Sequence, residues 1–348
     1  MANIKKIFWH PEEHRPRALW RLFGQILILI PILLFFGITF GFCSYWFLIS
    51  QGRVNPEAMS DPGLVQSQIM NNPFLLILTY AWLAPSMVVS IWLSGRFLDR
   101  RPFADFGFHF DKDWWLDFGF GLFLGGFLMG IIFLVEWLAG WVVVTGTFVT
   151  QFPDLGFGLA LILPLLLFLM VGFYEELFSR GYHLKNLAEG LQGELLGSRG
   201  AVIIAVLFSS GIFGVLHSTN PNATLFSTLN ICVAGFLLST GYILTGELAI
   251  PIGLHITWNF FQGNVFGFPV SGANFRSATF IAIQQKGPDH WTGAAFGPEG
   301  GLLGLGMMIA GMVLTVLWVR FRRGKAGIHL PLADPPVHEI KEEKITHG

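Results

Sequence analysis

Charge is scarce in this 348-residue sequence. Asp, Glu, Lys and Arg make up 12% of it, against roughly 25% in a typical water-soluble chain. That shortfall excludes a disordered chain and argues against a soluble enzyme. Net charge is −1, so no global basic field exists to recruit nucleic acid. Cysteine is nearly absent: Cys43 and Cys232 lie in apolar runs with no C-x-x-C partner. This argues against a disulfide framework or a zinc knuckle and predicts small core residues. Two catalytic signatures are missing as well, G-x-S-x-G and H-E-x-x-H. No aspartate lies within the uncharged span cores to form an aspartyl dyad, so a hydrolytic site has to be built from Glu and His.

What is present is apolar: 53% of residues are hydrophobic and mean hydropathy is +0.60. The 21 basic and 22 acidic residues sit in short clusters separated by uncharged runs of about 20, the length that spans a bilayer's hydrocarbon core. The expected fold is an all-α polytopic membrane helix bundle. Leu22 to Ile49 reads as a retained first helix, being too long for a removable signal peptide. Further spans are expected near 73–95, 118–144, 155–176, 200–218, 223–245, 249–267 and 300–319, eight in all. Lys and Arg test this count, because they gather on the cytoplasmic side. The N-terminus (Lys5, Lys6, Arg15, Arg17, Arg21), the 96–117 loop, the 175–199 segment and the tail from Arg320 hold 18 of the 21; Arg53, Arg276 and Lys286 fall on the other side. Both termini are therefore expected in the cytoplasm, and the protein in the cell (inner or plasma) membrane.

The expected organisation is a basic N-terminus (1–21), N-terminal transmembrane helices (22–154), a core (155–268), an external loop (269–299), a last transmembrane helix (300–320) and a cytoplasmic tail (321–348). The connection 264–299 is rich in Gly and Pro, and loops of this length are often functional; Trp291 suits the membrane interface. The tail beyond Lys325, with Pro331, Pro335, Pro336 and Lys341 to Lys344, reads as solvated and weakly structured. Gly125-Gly126 can pack within the bundle or between chains, leaving the oligomeric state open. No internal repeat is evident.

Ionisable residues inside a membrane are expensive, so each is a functional candidate. Tyr174-Glu175-Glu176-Leu177-Phe178-Ser179-Arg180 closes a 20-residue uncharged run. Glu176 and Arg180 are i, i+4 neighbours and can pair, while Glu175 is rotated about 100° away. A carboxylate against apolar walls can act as a general base; the alternative is a charged collar at a helix end. His217 ends the fifth span. In the seventh, His255 and Asn259 share a face and can donate to a developing oxyanion, or serve as interhelical glue. Glu136, the remaining intraspan acid, matches no motif.

Glu175-Glu176-x-x-x-Arg180, Phe213-x-x-x-His217 and His255-x-x-x-Asn259, in this order on separate helices, resemble the three motifs of the CAAX-processing and bacteriocin-processing (CPBP) intramembrane protease family. The resemblance covers mainly 155–268; Arg101 to Gly107 also resembles a segment that often precedes the core. It implies an endopeptidase acting on a peptide or membrane-protein substrate. Glu175 would activate a water, His217 would position it, His255 and Asn259 would stabilise the oxyanion, and Glu176 with Arg180 would hold the site together. Metal dependence stays open. Glu175, His217 and His255 are a possible zinc trio, while the missing H-E-x-x-H inclines the reading to a metal-free site.

Geometry sets a condition. Glu175 and His255 are expected shallow on the cytoplasmic side, whereas His217 lies roughly 25 Å along its helix from Gly200. For the clusters to meet, that helix must start near Leu195 or tilt strongly, with 180–199 as a protruding hairpin. Two rival readings are a catalytically silent scaffold of the same fold and a small-solute transporter. Intact motifs disfavour the first. The absent inverted repeat disfavours the second.

Overall fold

The computed structural model describes residues 7–52, 73–152, 156–275 and 277–336. Its helices are α1 Ala18–Ser50, α2 Pro73–Ser94, α3 Lys112–Leu138, α4 Gly156–Glu176, α5 Lys185–Leu191, α6 Gly197–Leu216, α7 Leu225–Thr245, α8 Ala249–Phe260, α9 Asp289–Thr292 and α10 Leu302–Arg323. Two small antiparallel pairs accompany them: β1 Trp9–His10 with β2 Arg15–Pro16, and β3 Val142–Thr150 with β4 Ala278–Gln285. Helix is the natural state for these apolar runs, since hydrocarbon offers a backbone no partner outside the segment itself. Side chains such as Leu27, Leu34, Phe35 and Ile38 leave α1 largely apolar on its outer surface, as a helix bathed in lipid should be.

Among the described residues, seven helices are long and apolar enough to cross a membrane: Ala18–Ser50, Leu78–Asp99, Lys112–Leu138, Gly156–Leu191, Gly197–Thr219, Leu225–Thr245 and Leu302–Arg323. The expected eighth, 249–267, is shorter. It is α8, 12 residues extended by one π-wound turn, Phe261–Val265. Nearly all of α8 is buried in the bundle, so its length is set by its neighbours rather than by a bilayer. The span expected at 118–144 also ends early. Gly140 adopts a left-handed φ of +73° after the helix terminates at Leu138, and the β-branched run from Val142 pairs with β4 instead.

Two glycines four apart on α3, Gly121 and Gly125, let α8 lie directly on that helix. A Cβ at Gly125 would overlap the Leu254 carbonyl oxygen, and one at Gly253 of α8 would come within 2.5 Å of the Phe118 carbonyl. This is the small-residue packing of membrane helices, and here it works within the bundle. Gly126 faces the Phe261 ring.

The basic segments gather at one end. Arg21, on the first turn of α1, pairs with Asp99 at 3.2 Å and Glu189 at 2.5 Å; Arg15 and Arg101 also reach Glu189. Arg322 pairs with Asp113, and Arg323 with Asp117. The chain beyond α10 returns to this end, against expectation. His329 N–H donates to the Ile243 carbonyl at 2.7 Å, and Leu332 and Ala333 are buried in the core cluster that holds Ala201 and Ala205. Apolar side chains in 328–333 explain the docking. The lysines at 5, 6, 341 and 344, like Arg53 and Arg276, lie outside the described residues. Cys43 is exposed on α1 rather than in a core, and Cys232 is half-buried between α6 and α7.

Candidate active site

Glu175 and Glu176 stand midway along a continuous 36-residue helical run, Gly156–Leu191, and not near one of its ends. At about 1.5 Å per residue, Glu175 is roughly 24 Å from the Leu191 end. Beyond the pair, 180–191 continues the helix with its polar side chains turned inward: Arg180, Lys185 and Asn186 are all buried. The run is π-wound from Leu177 to Leu184, the kind of irregularity that concentrates at functional sites. The chain then turns back, and α6 starts at Gly197, near the residue 195 required for His217 to reach the site.

Glu176 is fully buried. Its Oε1 accepts from Arg180 Nη1 at 2.9 Å and from His255 Nδ1 at 2.8 Å. The Arg180 guanidinium also donates to the Gly235 carbonyl at 3.2 Å and lies 4.4 Å over the Phe213 ring. α4, α6, α7 and α8 are thereby tied together by hydrogen bonds to the Gly235 carbonyl and from His255 and by one cation–π contact, with the Glu176–Arg180 ion pair at their centre. In a desolvated setting such a contact adds about 2 kcal/mol.

Glu175 points elsewhere. One of its oxygens accepts from Tyr174 Oη at 3.2 Å, and the other lies 4.0 Å from His255 Nε2. The two nitrogens of His255 thus face the two adjacent carboxylates. His217, where α6 passes into a single 3₁₀ turn, holds Nδ1 2.8 Å from the Phe213 carbonyl. A carbonyl only accepts, so Nδ1 carries the hydrogen and Nε2 of the neutral ring is left as an acceptor.

His217, His255 and Asn259 line one cavity of about 40 Å³, together with Phe213, Trp258 and Glu299. A volume of about 10–15 Å³ on this measure holds one water, so the cavity has room for a few. Glu175 and Glu176 do not line it; they stand behind His255. The zinc trio does not fit this arrangement. Among the described residues, no group of three His, Cys, Asp or Glu converges closely enough to hold a metal ion.

Glu299 is the site residue that the sequence did not disclose. It is buried ahead of α10 in the short turn Pro298–Gly300. Its Oε1 accepts from Ser271 N–H and, at 2.5 Å, from Ser271 Oγ; its Oε2 lies 3.5 Å from Trp258 Nε1. Burial raises its pKa above the usual carboxylate value, and donation from Ser271 works against that rise. The only sequence signal was an acid in Gly297-Pro298-Glu299-Gly300-Gly301, with no partner in view. Glu136 is also buried, with Gln285 Nε2 donating to it at 3.3 Å, and it sits outside this cavity.

Residues 157–261 match the family model described as type II CAAX prenyl endopeptidase Rce1-like. The matched segment holds all three motifs, so the resemblance to the CPBP family rests on more than short patterns. The chain is also similar to an uncharacterized protein of Bacillus subtilis, YyaK, with 24% identity over 247 residues, covering 70% of this chain and 77% of that protein. No solved structure matches it.

Proposed function

From an Rce1-like core in a bundle of membrane-spanning helices, we propose that the chain is an intramembrane endopeptidase that hydrolyses a peptide bond with water. The supporting observation is the shared cavity. His217, His255 and Asn259, from two helices and separated by up to 42 positions, face a space sized for a few waters. His255 connects that space to Glu175.

In this reading Glu175, reached past the edge of the His255 ring, takes the proton as water attacks the scissile carbonyl and returns it to the amine that leaves. His217 accepts a hydrogen bond from that water through Nε2. The Asn259 carboxamide donates to the oxyanion, joined by His255 Nε2 when the ring is doubly protonated. Glu176 holds His255 Nδ1–H, which fixes the orientation of the ring. The basic end of the bundle faces the cytoplasm in this proposal, by the positive-inside rule.

The test compares peptide termini in membranes from cells expressing the wild-type chain and the Glu175→Gln variant at matched levels. Glutamine keeps the shape and cannot serve as a base. New ends present only with the wild type identify substrates. Identical termini across several growth conditions would shift the reading to a silent scaffold of the same fold.

A further inference from the structure

We propose that the basic end carries a binding site for the phosphate of a phospholipid headgroup, in the cleft between the end of α2 and the N-terminal hairpin. This site is independent of the proteolysis reading. The cleft has a volume of about 1010 Å³, and Arg96, Arg100 and Arg101 line it beside Trp92. Arg96 and Arg100 are exposed, and their guanidinium groups have no ion pair or hydrogen bond among the described residues. Arg101 is buried. One of its terminal nitrogens reaches Glu189, while its Nε has no acceptor although it is shut off from solvent.

The acids nearby do not answer these charges. Glu13, which also lines the cleft, is occupied by Arg15, whose Nε donates to it at 2.7 Å. Glu189 serves Arg15, Arg21 and Arg101 together. Only Glu12 is left facing the cleft, so an anion entering it meets unmatched guanidinium groups. Guanidinium is the side chain best matched to phosphate oxygens.

The backbone presents these groups in a specific way. After the π-wound turn Gly95–Asp99, Arg100 takes a left-handed φ of 56°. A bulky residue rarely adopts that conformation. The reversal sends Arg101 into the protein and leaves Arg100 at the surface beside Arg96.

The choice of a lipid over a soluble anion comes from the flank. The cleft opens at the end of the candidate span Leu78–Asp99, where Trp92 and Phe97 are exposed on the outside of the helix. An indole at the end of a span marks the headgroup level. Acyl chains would cover those rings while the phosphate meets the arginines. An anionic headgroup such as phosphatidylglycerol fits this pairing, because basic clusters just outside a span attract anionic lipid.

The test uses the full chain purified in mild detergent and native mass spectrometry to count retained lipid. Phosphatidylglycerol, phosphatidylcholine and inorganic phosphate are added separately. The comparison is between the wild type, the Arg96→Gln/Arg100→Gln variant, and an Arg199→Gln/Lys325→Gln control that removes the same charge at the same end. The expected result is one tightly held phosphatidylglycerol on the wild type and on the control, weakened about tenfold or more in the Arg96/Arg100 variant. A single Arg96→Gln change carries the comparison if the double variant melts early. The proposal is overturned if phosphatidylcholine is retained equally, if the control loses as much as the variant, or if inorganic phosphate is retained as tightly as phosphatidylglycerol.

Discussion

Glu176 and His255 are 79 residues apart in the chain and joined by a 2.8 Å hydrogen bond between Oε1 and Nδ1. The same oxygen takes the Arg180 guanidinium at 2.9 Å. One carboxylate therefore fixes the orientation of a site histidine and neutralises the arginine that ties α4 to α6 and α7.

Glu176→Ala should cost stability before it costs chemistry. It leaves Arg180 buried without a counter-charge, a loss of about 3–5 kcal/mol. Denaturant unfolding in detergent measures this. A variant that unfolds at the wild-type midpoint would contradict the structural role.

Glu175→Gln should behave in the opposite way. Glu175 is partly exposed and makes no short ion pair, so unfolding should be nearly unchanged. Peptide cleavage should fall by about 10²–10⁴-fold, as for loss of a general base. Cleavage at the wild-type rate would remove Glu175 from the mechanism.

Asn259→Ala should lower kcat by about 10²–10³-fold with a smaller change in KM, because an oxyanion donor acts mainly in the transition state. The measurement needs a substrate found by the termini comparison. A pure KM effect would instead make Asn259 a substrate-binding residue.

Glu299 should leave a mark on the pH dependence of stability. Burial raises its folded pKa, so in the window above the ordinary carboxylate pKa the folded state keeps a proton that the unfolded chain has released. Its contribution is largest at low pH, falls as pH rises through that window, and levels off above the folded value. Glu299→Gln removes this fall. Melting curves for the two proteins as a function of pH should therefore diverge from about pH 4.5 upward; parallel curves would place the proton elsewhere.

Gly125→Leu should disrupt the α3–α8 contact. The added side chain meets the Leu254 carbonyl and the Thr257 hydroxyl, and overpacking of this kind costs about 1–3 kcal/mol or forces a shift of α8. Lower thermal stability together with lost activity is expected. Gly119→Leu, on the same helix with open space around its Cβ position, should be tolerated.

The long spans were legible because uniform hydrophobicity over about 20 residues has few other meanings. The motif residues were legible because charge is so rare around them. The sequence did not reveal where helices change winding. Nothing in Leu177 to Leu184 announces a π-wound turn, and α8 looked like a full span because burial in protein and burial in lipid select the same apolar residues. The Val142 run read as membrane helix because hydropathy alone cannot tell a β-branched strand from one. Glu299 stayed hidden because its partners, Ser271 and Trp258, are brought together only by the tertiary fold.

The π-wound stretch from Leu177 to Leu184 makes this part of the chain sensitive to length as well as to chemistry. A wider turn spends more residues per revolution than an α-helix, so it acts as a phase adjuster between the Glu175–Glu176 pair and the hairpin beyond. Deleting one residue between 177 and 179 would be absorbed as ordinary winding resumes, leaving Arg180 at i+3 from Glu176, whereas deleting two would place it at i+2, facing away from Glu176 and the Phe213 ring. Two missing codons there would disable the site while every motif residue remained in the chain.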